Sequence, residues 1–265
     1  MKISTVALSG ALALCVPHLA VMAQTAIGFN IANFSNTTYD LDPTDSVGVV
    51  STENWNNLKW DTGGSSPVFT GLVDSNGDTV DGLTAQLSGA SFNYSNSTAL
   101  DGSVTLPDAK MMAYGRGESS NGRGRSFTVE NVSYELYDVY VYFGAAGSAA
   151  STPYNMPATL NAPDGEGGWT AVSPTYIMTA STKSWSGDYT ISTSTVSGTE
   201  SNYVLFENVD LSSFRITSGG VNRRSGYTGF QIVAVPEPSQ FALGFGLLAM
   251  GCVVFVRRRK TTSSS

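Results

Sequence analysis

From residue 24 to residue 234 the chain contains no cysteine and no histidine. The whole sequence holds one His, His18, and two Cys, Cys15 and Cys252, all near its ends. A domain made from the central stretch has no disulfide to staple it and no thiolate or imidazole cage for structural zinc. It must hold together by its apolar core alone. The same absence removes Ser-His-Asp and Cys-His nucleophilic catalysis, haem on His and iron–sulfur clusters on Cys.

The rest of the pattern says what kind of core that is. Charged residues make up 13% of the chain, hydrophobic residues 41%, and glycine is frequent at 28. This disfavours a helical bundle or coiled coil, which would be rich in Ala, Glu, Lys and Leu. Short strand-like runs recur at a spacing near ten residues, with turn signals between them. The expected strands are 27–34, 85–94, 111–114, 126–129, 138–143, 176–179, 188–191, 202–206, 214–217 and 229–234. Asp138–Phe143 is the clearest. It places Val139, Val141 and Phe143 on one face, Tyr140 and Tyr142 on the other, and so predicts a central strand covered on both sides. Asn76-Gly77 is the strongest turn signal, since both residues tolerate positive φ. Residues 144–170, rich in Gly, Ala and Pro, read as long loops. The expected fold is an all-β, antiparallel β-sandwich of jelly-roll type, in one domain over 24–234.

The two ends read as addresses. Lys2, an apolar run from Val6 to Val21, and Val21-Met22-Ala23 form an export signal, with the cut expected after Ala23. Leu14 stands where a lipoprotein would need a small residue before Cys15. At the other end, Pro236-Glu237-Pro238 precedes sixteen uncharged residues, Phe241 to Val256, and then Arg257, Arg258, Arg259 and Lys260. Sixteen helical residues reach about 24 Å, short of a bilayer core of about 30 Å, but basic side chains snorkelling at one end make such a span tolerable. The positive-inside rule puts the Arg cluster in the cytoplasm and the 24–234 domain outside.

This three-part tail, residues 235–260, resembles the PEP-CTERM sorting signal of exported bacterial proteins. The resemblance implies a Gram-negative envelope, processing by an exosortase, and a destination at the cell surface or in an exopolysaccharide matrix. Pro236, Glu237 and Pro238 match the motif residue by residue, with Arg257, Arg258 and Arg259 as the basic end. Stretches of the central region resemble a core found in other PEP-CTERM proteins: Gly48-Val49-Val50, Trp55-Asn56-Asn57-Leu58, 137–142, 202–206 and 229–233. An ordinary single-span anchor behind a Pro-rich stretch is the competing reading of the tail.

Net charge sharpens the exclusions. The chain carries −7 overall. Setting aside Lys2, Glu237 and the four terminal cations leaves nine basic against twenty acidic residues, near −11 for the domain. That argues against nucleic acid as a partner.

Four groups of residues are candidate sites. Trp55, Trp60, Trp169 and Trp185 offer aromatic faces of the kind that stack on sugar rings, or else pack over the edges of the sandwich. Tyr140 and Tyr142 offer the same choice. Asp74, Asn76 and Asp78 alternate like calcium ligands, but Thr79 and Ala85 break the EF-hand pattern, so no cofactor is expected and a polar turn is the competing reading. Asp40, Asp42 and Asp45 form a second acidic loop. Arg116, Arg123 and Arg125 lie in a Gly-rich stretch that could cradle an anion or be a solvated hairpin, and Arg223-Arg224 reads alike. The expected function is non-catalytic: an exported surface or matrix protein that binds polysaccharide weakly. The alternatives are a carboxylate-dependent glycan hydrolase or lyase, and a purely structural surface protein.

Overall fold

A computed structural model describes residues 24–33, 37–60, 66–89, 92–95, 106–117, 125–145, 154–180, 185, 187–218 and 225–236. The expected signal peptide and the expected span 241–256 lie outside these residues. Among the described residues no helix is long and apolar enough to cross a membrane.

The fold is all-β. In chain order the strands are β1 (Ala26–Asn33), β2 (Asn56–Trp60), β3 (Val68–Phe69), β4 (Thr84–Ser88), β5 (Phe92–Ser95), β6 (Tyr114–Gly117) and β7 (Arg125–Glu130). They continue with β8 (Tyr137–Ala145), β9 (Tyr154–Pro163), β10 (Trp169–Ala171), β11 (Tyr176–Ala180), β12 (Tyr203–Val209), β13 (Ser213–Ser218) and β14 (Ser225–Ala234). One short helix, α1 (Pro107–Ala113), precedes β6. Sheet one runs β12-β8-β14-β1-β2, with β6 beside β14 and β5 beside β6. Sheet two runs β10-β9-β13-β7-β4-β3, with β11 also paired to β9.

Pairing is antiparallel between named strands except that β2 runs parallel to β1. A parallel neighbour needs a long crossover, and the chain from 34 to 55 supplies it.

The inner faces of both sheets meet in one apolar layer. Ile27, Phe29 and Ile31 of β1, Val139, Val141 and Phe143 of β8, and Phe230 and Ile232 of β14 face Leu87 of β4, Phe127 and Val129 of β7, and Phe214 and Ile216 of β13. Phe127 lies at its centre. Its ring stacks on Phe230 at 3.7 Å between centroids and meets Phe29 edge-on at 5.3 Å. Burial of such aromatic area, with no cross-link, is the dominant favourable term.

The strand 138–143 is central and buried on both sides, as its two bulky faces predict. Its outer residues, Tyr140 and Tyr142, lie under a second apolar layer with Leu41, Val47, Trp55, Met111 and Met112. That layer is laid over sheet one by the 37–55 crossover and by α1.

Several expected elements differ. The run 85–94 is two strands in different sheets, β4 and β5, and the chain turns at Gly89 with φ of 78°, a conformation glycine adopts without strain. Met111 to Ala113 are helical, not extended: Pro107 sits in the first turn with Asp108 beside it, both helix-start signals. Within 144–170 the chain forms the ten-residue strand β9, with Met156, Ala158 and Leu160 turned inward. Residues 188–191 make only a single bridge, Ile191 to Tyr203, parallel in sense.

Candidate functional site

The four tryptophans do not share one surface. Trp55 is 5% exposed. Its Nε1–H donates to the Thr52 carbonyl at 2.9 Å, and its ring fills the space above Gly28, where any Cβ would collide with it. Trp185 is half-buried on the same layer, 4.7 Å from the Tyr189 ring. Trp60 is placed at the end of β2 opposite Asn33, and its side chain lies outside the described residues. Trp169 stands apart on β10 of sheet two.

Below Trp55 and Trp185 is a polar network that sequence reading did not single out. Tyr142 Oη donates to Gln231 Oε1 at 2.9 Å and accepts from the Val49 amide at 2.9 Å. Gln231 Nε2 donates to the Val50 carbonyl at 2.6 Å and to Thr52 Oγ1 at 2.9 Å. Tyr189 Oη donates to Asp108 Oδ1, which also accepts from the Gly48 amide. Burial raises the pKa of both tyrosines, and the Asp108 hydrogen bond and charge raise that of Tyr189 further. Phenols held neutral in this way serve as hydrogen-bond donors, not as bases. The network fastens the crossover to the sheet.

The acidic loops have partners inside the fold. Asp74 Oδ1 accepts from the backbone amides of Asn76 at 2.8 Å and Asp78 at 3.1 Å. Gly77 takes φ of 83°, and the Ser75 amide donates to the Ala26 carbonyl at 2.7 Å, so the turn is pinned to β1. Asp40 pairs with Lys59 at 2.5 Å. Lys110 Nζ reaches Asp45 at 3.0 Å and Asp42 at 3.6 Å. Burial alone would lower the pKa of Lys110, but the two carboxylates outweigh it and hold it above its ordinary value. Among the described residues no three Asp, Glu, His or Cys side chains gather as a metal site.

The arginine stretch does not act as one loop. Arg125 is the first residue of β7, turned inward and 2% exposed, so it is no part of a solvated hairpin. It follows the same period-two face as Phe127 and Val129. The Arg116 backbone belongs to β6, while Arg123, Arg223 and Arg224 lie outside the described residues. Of the tail motif, Pro236 is exposed at the end of the described chain. Glu237, Pro238, Arg257, Arg258 and Arg259 lie outside it.

The outer face of sheet two carries polar side chains around Trp169. Arg215 on β13 stands between Thr128 on β7 and Asn161 on β9. Its guanidinium lies 4.4 Å from the centre of the Trp169 ring, and its Nε donates to Thr128 Oγ1 at 3.0 Å. Asn161 Nδ2 donates to Thr217 Oγ1 at 3.0 Å and to the Arg215 carbonyl at 3.1 Å. Burial lowers the pKa of Arg215 and nearby Glu130 works against that; a guanidinium stays charged in either case. Trp169 remains half-exposed. The surface thus offers an aromatic ring steadied by a cation, while Thr128 and Asn161 beneath it are buried and hold Arg215 in place. Arg215 was legible in principle: in Ser213-Phe214-Arg215-Ile216-Thr217 the period of two turns it outward. Its meeting with Trp169 is a cross-strand fact that no local pattern carries.

A concavity of about 440 Å³ opens at the edge of β12 between Phe206–Leu211 and Val172–Tyr176. The chain matches no model of a known protein family, and no curated protein matches it in sequence.

Proposed function

We propose that this chain is an exported, non-catalytic protein of the cell surface or exopolysaccharide matrix. In this reading a signal peptide delivers it, an exosortase sorts it through the 235–260 tail, and a jelly-roll-like β-sandwich holds polysaccharide weakly. The delivery part is supported by the order of Pro236-Glu237-Pro238, the apolar run and the Arg cluster. The binding part is carried by one observation: the half-exposed Trp169 ring, stacked by the partly exposed guanidinium of Arg215, which Thr128 holds in place. Sugar rings place an apolar C–H face on an aromatic and their hydroxyls on amide, hydroxyl and guanidinium groups. Glycan contact at such a face is shallow, which is why the proposed binding is weak.

Two experiments test the two parts. Deletion of Pro236 to Pro238 is expected to leave an unprocessed, membrane-held product; unchanged size and location would overturn the sorting reading. Co-sedimentation with the producing cell's own polysaccharide is expected for the wild type and lost in Trp169→Ala. Equal retention of both proteins would remove the binding face.

A further inference from the structure

The cleft at the edge of β12 is a different kind of surface, and its reading stands independently of the glycan proposal. β12 is the terminal strand of sheet one and pairs only with β8 among the named strands. The Phe143 amide bonds to the Asn202 carbonyl at 2.8 Å, which fixes the alternation: Val204 and Phe206 turn their backbone groups toward β8. Leu205 and Glu207 therefore turn theirs to the open side. Between Phe206 and Val209 the register against β8 shifts by one residue, and the Asn208 amide there points back to Asp138 Oδ1 on β8 at 2.9 Å.

The first part of this edge is already taken. The Ser192 amide donates to the Tyr203 carbonyl at 2.7 Å, and the chain then crosses to β11, where the Ile177 amide meets the Ser194 carbonyl at 2.8 Å. Beyond Tyr203 no described backbone covers the edge. Instead the strand faces the cleft, whose far wall includes Val172 and Tyr176 and whose floor includes Leu160 and Phe206.

The charge of the rim selects among occupants. Glu207 and Asp210 stand at the cleft, and neither forms an ion pair with a cation among the described residues. A second copy of β12 added edge to edge would set acidic residues against acidic residues, which destabilises a strand pair. A strand with lysine or arginine at alternate positions meets both demands: its backbone completes the ladder, its cations meet the rim and its apolar side chains enter the cleft. We propose that the cleft receives an extended, basic polypeptide segment of a partner protein, which adds to sheet one as a strand beside β12.

The test uses the full-length chain in detergent and a fluorescent, end-capped peptide of alternating lysine and valine, about seven residues long so as to span one strand. Saturable binding is expected, with slowed amide hydrogen exchange at Leu205 and Glu207. Replacing Glu207 and Asp210 together by Lys is expected to weaken binding about tenfold; both side chains are exposed, so folding should survive. A glutamate–valine peptide should not bind. Methylating alternate backbone amides of the lysine–valine peptide should abolish binding, because it removes the donors for the ladder. Equal binding of the methylated peptide, no change in exchange at Leu205 and Glu207, or no binding by the wild type would each overturn the proposal. So would self-association of the chain through this edge without peptide.

Discussion

The two sheets share an inner layer but finish their outer faces in opposite ways. Sheet one is roofed. The 37–55 crossover, α1, Trp185 and Tyr189 lie over it, and Trp55, Met111 and Met112 pack on Tyr140 and Tyr142 as a second apolar layer. Sheet two has no second apolar layer among the described residues; its outer face is polar, with Thr128 and Asn161 buried and Gln86, Arg215 and Thr217 partly exposed. The strand sequences differ accordingly. β8 is bulky on both sides, whereas β13 alternates strictly between buried Phe214 and Ile216 and partly exposed Arg215 and Thr217. A roof needs the polar groups of its own backbone satisfied; Gln231 and Tyr142 do this from the sheet beneath, and Asp108 does it from α1 within the roof. On sheet two the outer polar groups satisfy one another, Arg215 with Thr128 and Asn161 with Thr217.

The largest effect should come from the layer both sheets share. Phe127→Ala removes a ring in contact with Phe29 and Phe230 and should cost about 3–5 kcal/mol. A thermal melt followed by circular dichroism would show it, and a cost below about 1 kcal/mol would mean that the inner layer is not the common core. The roof should respond next. Gln231→Leu strands the Val50 carbonyl, Thr52 Oγ1 and the Tyr142 hydroxyl, at a cost of about 1–3 kcal/mol. The emission of Trp55 should shift to longer wavelength as the crossover loosens.

Alkali should act on the roof by the same route. Tyr142 and Tyr189 have folded pKa values raised above those of the unfolded chain. Above pH of about 10 the unfolded phenols release protons that the folded ones retain, so stability falls as pH rises, by up to about 1.4 kcal/mol per pH unit for each group. Lys110, also raised, contributes stability that is complete below its unfolded pKa and is lost as pH climbs through the folded one. Melting temperatures measured between pH 8 and pH 11, values of about neutral to alkaline range chosen to bracket the free phenol, should fall less steeply for Tyr189→Phe than for the wild type. The outer face of sheet two should respond least: Trp169→Ala should change stability by no more than about 0.5 kcal/mol, which separates a binding role from a packing one.

Local pattern revealed the inner layer well and the roof poorly. β7, β8, β11, β13 and β14 each contain an expected run, and β1 and β12 overlap theirs in all but one residue, because one alternating face is enough to mark a strand. β9 was hidden by its composition. Its alternation of Met156, Ala158 and Leu160 is regular, but Pro157 and Pro163 read as breakers. Pro157 is harmless because β13 pairs only with Thr159 to Asn161, so the missing donor breaks no rung there. α1 was hidden by its apolar Met111-Met112 pair, although Pro107 and Asp108 announced a helix start. Of the candidate sites, the acidic loops could not be sorted from sequence, since their partners Lys59 and Lys110 arrive from other elements. The tryptophans likewise carried no sign of which would be roofed and which left in the open.

The last strand sits in the middle of its sheet rather than at a margin. β14 is held by β8 on one side and by β1 on the other, and Ala234 closes against Thr25 where the chain departs. Antiparallel rungs lie across the strand direction, so a pull applied at Pro236 tugs every rung at once instead of peeling them singly. A tether attached there and loaded along the strand would meet all of those rungs together.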